Sequence, residues 1–535
     1  MNIASLFNRR LDGQNRKKTA LVLLRTDGTE ERYSWNDYIN KATYIAEWLR
    51  RGGIKKGDFV AIIPLNLPNS FFAMLGTILV GAVPVPINIQ LLKEAGLVDL
   101  IKIIRDCKPK FVLIDESLKE FLLGTGIVHH TAEKIMIESK VTLTSSGHRL
   151  IYYHASYPTA ESSDLLIMPY TSGTSGQPKG VMLTHKNVIN RLEAACNALS
   201  ATEDEKILSY LPLGHIAELI TTFFGQIYSG YTVYFTEHAK EIIENKEKFR
   251  KNFPSILQTA KPTIFIAVPR IWMAFRKEIE TKLKNMPLSG KVIPQWLKKL
   301  AVKKGLGLNQ TRVFVSAGAK ISDEDSEFFS DLGVPISDIY GQTETAGPLT
   351  LNGTVLGPSN KMTLEKEEIT VVGDCVMAGY FQNTMASNHV FSINETGETV
   401  YHTGDTGKTC KEKMFWTGRM GDSFKMANGE YVSPDKIMTL EEEIKKIDPQ
   451  INEVIVCGAN RPHLGTLIFS ENYLDINLHE KIRHELPKIG EGMFTPRKFV
   501  LINNSELELT PTMKVKRKVM LEKLSSTIDS LYSKK

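Results

Sequence analysis

Cysteine is scarce in this sequence, and its placement excludes two kinds of small domain. Five of the 535 residues are cysteine, an odd number, and no two of them form a CxxC pair. A disulfide framework and a zinc site both need paired, closely spaced ligands, so neither is indicated. Reduced thiols in a cytosolic protein are the simpler interpretation. The cysteines are Cys107, Cys196, Cys375, Cys410 and Cys457.

Long hydrophobic runs are also missing. No stretch reaches the roughly 18–20 apolar residues of a membrane-spanning helix. Residues 1–18 contain no continuous apolar segment of signal-peptide length. The most apolar segment, from Phe71 to Ile89, is interrupted by Gly76, Gly81, Pro84 and Pro86. The sequence therefore predicts a soluble, cytoplasmic protein, which does not exclude a peripheral contact with a membrane.

Charge of one sign is not in large excess. The chain carries 66 basic and 60 acidic residues, a net charge of +6. Nucleic-acid binding, which concentrates basic residues on one element, is therefore not indicated, whereas weak attraction to phosphates is compatible. With 42% hydrophobic and 24% charged residues and no repeats, the composition predicts a large buried core.

Short β-rich runs alternate with helical patterns along the first part of the chain. Ser34 begins a predicted helix that ends at Arg51, and a strand-like run starts at Phe59. Another helical pattern starts at Pro68, and a further one ends at Cys107 before the run KFVLID. This alternation predicts an α/β fold of mostly parallel sheets with flanking helices.

The character of the sequence changes near Trp416. The segment from Phe415 to Pro434 is dense in glycine, charge and turn-forming residues, which is typical of a junction. The stretch of about 100 residues that follows has apolar runs of its own and is long enough for a small domain. We therefore predict a large N-terminal domain over residues 1–419 and a small α+β C-terminal domain over residues 420–535.

The strongest local signal is YTSGTSGQPKG, from Tyr170 to Gly180, which lies between two strand-like runs. Glycine lets backbone amides approach an anion closely, the hydroxyl side chains add hydrogen bonds, and Lys179 adds positive charge. The pattern predicts a phosphate-binding loop. Because the lysine is followed by glycine and not by serine or threonine, a P-loop NTPase is disfavoured.

The same segment resembles the signature loop of the adenylate-forming superfamily, which includes acyl- and aryl-CoA synthetases, peptide-synthetase adenylation domains and beetle luciferases. Four further segments resemble that family's motifs in the family's order, so that the resemblance spans nearly the whole chain. They are YGQTE (Tyr340 to Glu344), YHTGD (Tyr401 to Asp405), GRMGD (Gly418 to Asp422) and LTPTMKVKR (Leu509 to Arg517). The resemblance implies the adenylate-forming fold, with a mobile C-terminal domain.

The resemblance also implies which residues bind ATP and Mg²⁺. A carboxylate must meet the α-phosphate of ATP, and Mg²⁺ and basic groups relieve the repulsion between these anions. Glu344 would hold Mg²⁺, because a carboxylate suits a hard cation, and Thr343 would bind the α-phosphate. Adenine would lie against Tyr340. The remaining nucleotide contacts would come from Thr171, Ser172, Gly173, Thr174, Ser175, Gly176, Lys179, Gly318, Ala319 and Gly341.

Residues nearer the C-terminus complete the implied site. Asp405 would accept hydrogen bonds from both ribose hydroxyls, and Arg419 would add a charge-assisted contact. Lys514 matches the family's mobile lysine, which bridges carboxylate and phosphate during adenylation, although by itself it would be interpreted as part of a basic tail. Gly421 occupies the hinge position, where relatives carry lysine or aspartate. Lys320 stands where relatives usually carry proline, beside the adenine.

Three segments resemble long-chain fatty acyl-CoA synthetases more than activators of aryl or amino acids: Ser209 to Leu219, Lys261 to Trp272 and Asp422 to Ile437. A fatty acid implies an apolar tunnel beside the phosphates, and His215 either lines this acyl channel or is a satisfied core residue. The lysine-rich stretch from Lys291 to Gly305 is either an interfacial membrane helix or an amphipathic helix packed on the core.

These resemblances predict an acid–thiol ligase, a fatty acid–CoA ligase that uses ATP, Mg²⁺ and coenzyme A on a long- or medium-chain acid. Two alternatives stay open: an acyl-AMP ligase that loads an acyl carrier protein, and a non-catalytic relative that kept the nucleotide fold. The abbreviated stretch from Gly347 to Gly379, where carrier-loading relatives have an insertion, favours coenzyme A. Catalysis is favoured by five retained residues: Lys179, Glu344, Asp405, Arg419 and Lys514.

Overall fold

The computed structural model describes residues 1–131, 134–136, 159–172, 177–284, 294–509 and 515–533. Contacts divide the chain into two compact units. The first comprises Met1–Lys361 with Val372–His389, and the second comprises Met362–Val371 with Val390–Lys535. The last boundary between the two units lies at His389 and Val390, ahead of the predicted domain boundary at residues 419 and 420. The hairpin of Thr399–Cys410 and Lys413–Arg419 therefore belongs to the second unit. The predicted start of a mobile domain at residue 420 stays a prediction.

Three sheets of the first unit are wholly or mainly parallel, which confirms the predicted α/β class. One has the order Val83–Pro86, Phe59–Ile63, Phe111–Ile114, His130–Thr131, all parallel. A second has the order Lys206–Leu208, Thr232–Thr236, Thr19–Leu24, Glu30–Ser34, with only the last strand antiparallel. The third has the order Ile264–Ala267, Val313–Ala317, Ile336–Gln342, Gly347–Leu351, Thr354–Val355, and its first three strands are parallel.

Helices cover these sheets, and a smaller antiparallel sheet accompanies them. The small sheet contains Leu165–Ile167, Tyr170–Ser172, Pro178–Thr184 and Gly379–Tyr380. The helices are Ile3–Asn8, Trp35–Arg51, Pro68–Leu79, Glu94–Cys107, His185–Ala198, Ile216–Glu218, Leu219–Phe224 (a π-helix), Gly225–Ser229, Glu241–Glu244, Lys246–Ala260, Pro269–Lys284, Gln295–Gly305, Asp323–Asp331 and Thr384–Val390. Over the described ranges, none of the helices has both the length and the apolar character needed to cross a bilayer.

The helix Trp35–Arg51 shows how local signals set the ends of an element. Ser34 and Asp37 form a capping box, in which each side chain accepts a hydrogen bond from the backbone N–H of the other. At the other end the chain passes through Gly52 into Gly53, whose φ of +83° is the left-handed conformation that glycine adopts without steric cost. The predicted bounds of this helix are confirmed.

Aromatic packing fixes the third sheet. Trp272 is fully buried, and its indole N–H donates to the carbonyl oxygen of Val315 at 3.3 Å. Phe265 and Phe329 pack against its ring in edge-on geometry. Burying one such side chain contributes about 1.5–3 kcal/mol. This packing holds the central strands of the sheet together, and their carboxyl ends carry part of the candidate site.

The second unit has two parts. The first is a sheet of Lys361–Glu365, Glu368–Val372, Thr399–Cys410 and Phe391–Ile393 in that order, with Lys413–Arg419 paired to Thr399–Cys410. The second contains the hairpin Phe424–Lys425 with Tyr431–Val432, the sheet Glu453–Cys457, Gly465–Ser470, Lys498–Asn503, and the helices Pro434–Lys445, Ile476–Glu485, Arg517–Lys523 and Ser525–Tyr532. This second part has the predicted α+β character.

Candidate functional site

A β-hairpin carries the ends of the candidate phosphate-binding loop. Its two strands pair antiparallel, with Thr171 opposite Lys179, and both side chains are half-buried. The hydroxyl of Tyr170 donates to the carboxylate of Asp106, which ties the first strand to a neighbouring helix. Four predicted loop residues lie outside the described residues, and Ser172 is described in its backbone alone. The four are Gly173, Thr174, Ser175 and Gly176.

Tyr380 connects Lys179 with Glu344. The Lys179 ammonium lies 4.9 Å from the centroid of the Tyr380 ring, and the Tyr380 hydroxyl donates to Glu344 Oε1 at 3.0 Å. Tyr380 is only 6% exposed, and its strand pairs with the strand that carries Lys179. The structure thus places a predicted cation and a predicted carboxylate against one aromatic side chain. Sequence analysis did not single out this tyrosine.

A tight turn carries Thr343 and Glu344. The strand Ile336–Gln342 leads into it, and the chain reverses before the next strand. Thr345 is fully buried and donates its hydroxyl hydrogen to the carbonyl oxygen of Gly347 at 3.0 Å, which ties the ends of the turn together. Thr343 and Glu344 are half-buried at the carboxyl end of a parallel strand, the usual place for ligands in α/β folds.

Glycine is required at position 341. A Cβ on Gly341 would lie 2.1 Å from the carbonyl oxygen of Gly347. Gly341→Ala is therefore expected to force the two strands apart and to lower the free energy of unfolding by about 1–3 kcal/mol. Nucleotide affinity should fall with it, because the turn carries Glu344. Thermal unfolding and ATP titration check both effects.

The control for this prediction is Gly305→Ala. Among the described residues, nothing lies within 4 Å of a Cβ built on Gly305, so this change should leave the unfolding midpoint nearly unaltered. Equal stability of the two variants would contradict the close approach at Gly341.

Gly318 and Ala319 follow the strand Val313–Ala317 at its carboxyl end. The neighbouring parallel strand, Ile336–Gln342, ends at the same edge of the sheet. Gly318 has a φ of +87°, and a Cβ there would approach Val268 no closer than 3.7 Å. Both residues are exposed, so a flat ligand has access to their backbone. Their predicted contact with adenine stays a prediction.

Two buried polar atoms beside this strand end were not predicted. Ser316 Oγ and Asp338 Oδ1 have no hydrogen-bond partner among the described residues, and the two residues are register partners on adjacent strands. Burial raises the pKa of Asp338 to about 6, and Lys320 opposes this shift. Because buried polar atoms are nearly always paired, these two atoms are available for hydrogen bonds to a ligand or to water at this strand end. Nothing in the local sequence pattern distinguishes the two residues.

Asn88 holds His215. The amide nitrogen of Asn88 lies 2.8 Å from His215 Nε2. Because the amide nitrogen can only donate, Nε2 accepts, and a neutral ring then carries its proton on Nδ1. A Cβ on Gly214 would lie 2.6 Å from the backbone of Asn88, so glycine permits this approach. The role of His215 in an acyl channel stays a prediction, and the bond to Asn88 also fits a satisfied core histidine.

Glu218 is a buried carboxyl group that sequence analysis did not single out. It is 2% exposed, and its Oε1 accepts from the hydroxyl groups of Ser209 at 2.6 Å and Thr222 at 3.1 Å. The amide nitrogen of Asn66 donates to the same oxygen at 3.3 Å. Burial raises the pKa of Glu218 to about 8, although the hydrogen bonds favour the charged form.

This raised pKa predicts a pH dependence of stability. The folded protein keeps a proton on Glu218 up to about pH 8, whereas the unfolded chain releases it near its ordinary pKa of 4.5. The contribution of this group to stability is therefore full below pH 4.5 and is lost as the pH rises towards 8. Between pH 5 and 8, the unfolding midpoint of Glu218→Gln should rise relative to that of the wild type.

The control for this prediction is Glu203→Gln. Glu203 is exposed, and its pKa is lowered by Lys18, so its titration lies below this pH window. Parallel profiles for the wild type and Glu218→Gln would show that Glu218 does not titrate between pH 5 and 8.

In the second unit, Asp405 and Arg419 lie opposite each other on adjacent antiparallel strands. Arg419 Nε lies 3.5 Å from Asp405 Oδ1, and the side chains are 48% and 5% exposed, respectively. The carboxylate is buried, whereas the guanidinium reaches the surface. The structure thus brings the two predicted residues together, and their contact with ribose stays a prediction.

The predicted hinge lies directly after this pair. Gly421 is the middle residue of a 3-10 turn, Met420–Asp422, and no residue in the described part of the chain lies within 4 Å of a Cβ built on it. Burial raises the pKa of Asp422, while the guanidinium groups of Arg517 and Arg419 oppose the shift. Packing thus does not require glycine at position 421. Lys514, the predicted mobile lysine, lies outside the described residues.

Comparison with known families identifies the class of protein. The AMP-binding enzyme family matches residues 7–381, and the AMP-binding enzyme C-terminal domain matches residues 422–535. Since the first match alone spans more than half of the 535 residues, the chain belongs to the AMP-binding enzyme family. The family membership that the five motifs predicted is confirmed.

Individual relatives are more distant. The long-chain-fatty-acid–CoA ligase ACSBG2 of Mus musculus is 24% identical over 609 residues, which cover 93% of this chain and 88% of the relative. The adenylation domain of a carboxylate reductase from Mycobacterium chelonae is 20% identical with a TM-score of 0.77, covering 100% of this chain and 91% of that chain. McyG A-PCP complexed with phenylalanyl-adenylate is 18% identical with a TM-score of 0.78, covering 99% and 85%. These structures confirm the adenylate-forming fold.

Proposed function

We propose that the protein is an ATP- and Mg²⁺-dependent fatty acid–CoA ligase for long- or medium-chain acids. The observation that carries the proposal is the contact of Lys179 and Glu344 with Tyr380, beside the ends of the loop, in a chain of the AMP-binding family. A cation and a carboxylate that share one aromatic side chain beside this loop support a binding site for phosphate and Mg²⁺. Similarity to a long-chain-fatty-acid–CoA ligase supports the choice of acid.

The first half-reaction would join the acid to AMP. The carboxylate oxygen of the acid forms a bond to the α-phosphorus of ATP while the bond to pyrophosphate breaks, which yields acyl-AMP. Lys179 would pair with the departing phosphates, and the Thr343 hydroxyl would donate to the α-phosphate. Lys514 would bridge carboxylate and α-phosphate as charge develops between them. Tyr340 and Asp405 would hold adenine and ribose.

Glu344 fits a magnesium ion. Its half-buried carboxylate supplies hard oxygen donors, and the Tyr380 hydroxyl fixes its orientation through Oε1. Mg²⁺ usually takes one or two protein carboxylates and completes its coordination with phosphate oxygens and water, so that one glutamate suffices. When bound there, Mg²⁺ would neutralise phosphate charge and ease the approach of the substrate carboxylate.

The second half-reaction would transfer the acyl group to coenzyme A. The thiol sulfur bonds to the carbonyl carbon of acyl-AMP, the bond to AMP breaks, the thiol proton leaves to solvent, and a thioester is formed. Gly421 would permit the rotation between the two half-reactions, because glycine has the widest range of backbone conformations. No described residue lies within 4 Å of a Cβ built on Gly421, so neighbouring side chains do not crowd this position.

One alternative is an acyl-AMP ligase that loads an acyl carrier protein. Its support is the fold shared with McyG A-PCP and with a carboxylate reductase adenylation domain. Against it, all residues from Gly347 to Gly379 are described, and they form short strands and turns without an inserted element. This stretch is where the carrier-loading relatives are expected to be longer, so coenzyme A is favoured.

ATP consumption with a panel of C2 to C20 acids, with and without coenzyme A, tests the proposal. We expect AMP and acyl-CoA, detected by mass spectrometry, over one range of chain lengths. Acyl-AMP without thioester would favour the carrier-protein alternative. Absence of turnover with every acid would favour a non-catalytic nucleotide-binding relative.

We also propose a peripheral membrane contact through the helix Gln295–Gly305. Leu297 and Leu300 are 37% and 55% exposed, while Val302 packs on the core. Four lysines on the same helix suit an anionic surface. In liposome flotation, we expect association with anionic vesicles. Absence of association with anionic and neutral vesicles alike would remove this contact and leave a helix that serves packing alone.

A further inference from the structure

The chain is fastened on both sides of the segment that carries Lys514. Leu509 and Val515 form an antiparallel bridge, and the N–H of Lys516 donates to the carbonyl oxygen of Glu508 at 2.9 Å. The residue next to Lys514 in the chain is therefore held to the residue that leads into the segment. A side chain that must reach a phosphate depends on such a fixed base.

A buried ion pair fixes this base to the sheet of the second unit. Arg517 Nη1 lies 2.7 Å from Glu441 Oε1, and the two side chains are only 14% and 16% exposed. Arg517 Nη2 donates to the carbonyl oxygen of Val456 at 2.7 Å, and the N–H of Val456 donates to Glu441 Oε1, also at 2.7 Å. The helix Pro434–Lys445, the strand Glu453–Cys457 and the chain at Arg517 are thus joined by one group of hydrogen bonds.

Arg517 differs from its basic neighbours. Sequence analysis treated the run Lys516, Arg517, Lys518 as a possible solvated tail, and Lys518 is indeed exposed. Arg517, in contrast, points inward and makes charge-assisted bonds to groups that are themselves buried. Removing one partner of such a pair costs more than removing a surface pair, because it leaves a buried charge without a partner.

We propose that Glu441 and Arg517 are positioning residues for Lys514, and that they act in the first half-reaction only. The role rests on the proposed function. Arg517 follows Lys514 by three residues, so the pair anchors the described chain on the C-terminal side of the segment that carries this lysine. Misplacement of a catalytic group by about 1 Å can cost on the order of 100-fold in rate. Loss of the ion pair between Glu441 and Arg517 should therefore lower the rate of acyl-AMP formation. Thioester formation, which does not use Lys514, should be spared.

Glu441→Gln tests the pair in the full-length protein, because glutamine keeps the size of the side chain but removes its charge. We expect acyl-AMP formation, measured by ATP–pyrophosphate exchange, to fall roughly 10- to 100-fold. Thioester formation from supplied acyl-AMP and coenzyme A should change by less than about threefold. In a Lys514→Ala background, Glu441→Gln should cause no further loss, because the group that it positions is absent.

The matched control is Glu453→Gln. Glu453 pairs with Lys445 and thereby joins the same helix, Pro434–Lys445, to the same strand, Glu453–Cys457, without touching Arg517. The Glu453→Gln change should leave the rates of both half-reactions unaltered. Equal losses in the two half-reactions of Glu441→Gln, or an additive loss with Lys514→Ala, would overturn the positioning role in favour of a structural one.

Hydrogen exchange provides a readout that is independent of activity. The Lys516 amide, which donates to Glu508, should exchange faster in Glu441→Gln than in the wild type and in Glu453→Gln. Unchanged exchange would overturn the anchoring by the pair, whatever the enzyme does. A wild-type chain that activates no acid would overturn the proposed function, and the positioning role with it, even if the exchange result held.

Discussion

Replacing Lys514 with alanine is expected to slow acyl-AMP formation by roughly 100- to 1,000-fold. The ammonium would meet the developing charge between carboxylate and α-phosphate, so it acts in the transition state more than in the ground state. ATP affinity should therefore stay nearly unchanged, because the loop around Lys179 and the turn around Glu344 are intact. Single-turnover release of pyrophosphate and calorimetric ATP titration measure the two effects.

The matched control for Lys514→Ala is Lys518→Ala. Lys518 belongs to the same basic run but is exposed on the following helix, so its removal should leave adenylation unaltered. Normal acyl-AMP formation by Lys514→Ala would show that this lysine is part of a solvated tail. An equal loss in both variants would point to the charge of the whole run and not to one residue.

Replacing Glu344 with glutamine is the second change with a large expected effect. Glutamine has nearly the same shape and still offers an oxygen to the Tyr380 hydroxyl, but it lacks the negative charge that would hold Mg²⁺ in the proposed site. We expect acyl-AMP formation to fall by roughly 100-fold at saturating ATP. The Mg²⁺ concentration that gives half-maximal rate should rise. A magnesium titration of initial rates measures both quantities.

Tyr380→Phe separates charge from orientation. Phenylalanine keeps the ring beside Lys179 but removes the hydrogen bond that Glu344 Oε1 accepts. Because partners of a metal ligand usually matter less than the ligand itself, we expect a loss of about 10-fold. If the magnesium titration of Glu344→Gln matched that of the wild type, Glu344 would not be the metal ligand.

Much of the fold could be predicted from local sequence patterns. Ser34 and Asp37 cap a helix within a few residues, and the alternation of apolar runs with helical patterns predicts parallel sheets. The hairpin of the loop follows from two strand-like runs around a glycine-rich turn. These features depend on neighbours in sequence, which is why a pattern can reveal them.

The remaining features depend on residues that are far apart in the chain. Tyr380 meets Lys179 and Glu344 only because the strand that contains it pairs with the hairpin of the loop. In the sequence, nothing distinguishes Arg517 from the basic residues around it. Only the structure shows that it pairs with Glu441. The local periodicity of a sequence does not predict contacts between residues that are this far apart in the chain. The bounds of the compact units also depend on the long-range pairing of strands, which composition does not reveal.

The ring contact of Lys179 has a consequence for the site before any phosphate binds. Tyr380 gives the ammonium a partner that is present whether or not phosphate is bound, so the cation is already accommodated in the absence of phosphate. Because the contact is common to both states, it does not change the affinity for phosphate. What it contributes, about 0.5–1 kcal/mol, goes into holding the lysine side chain in place beside the loop.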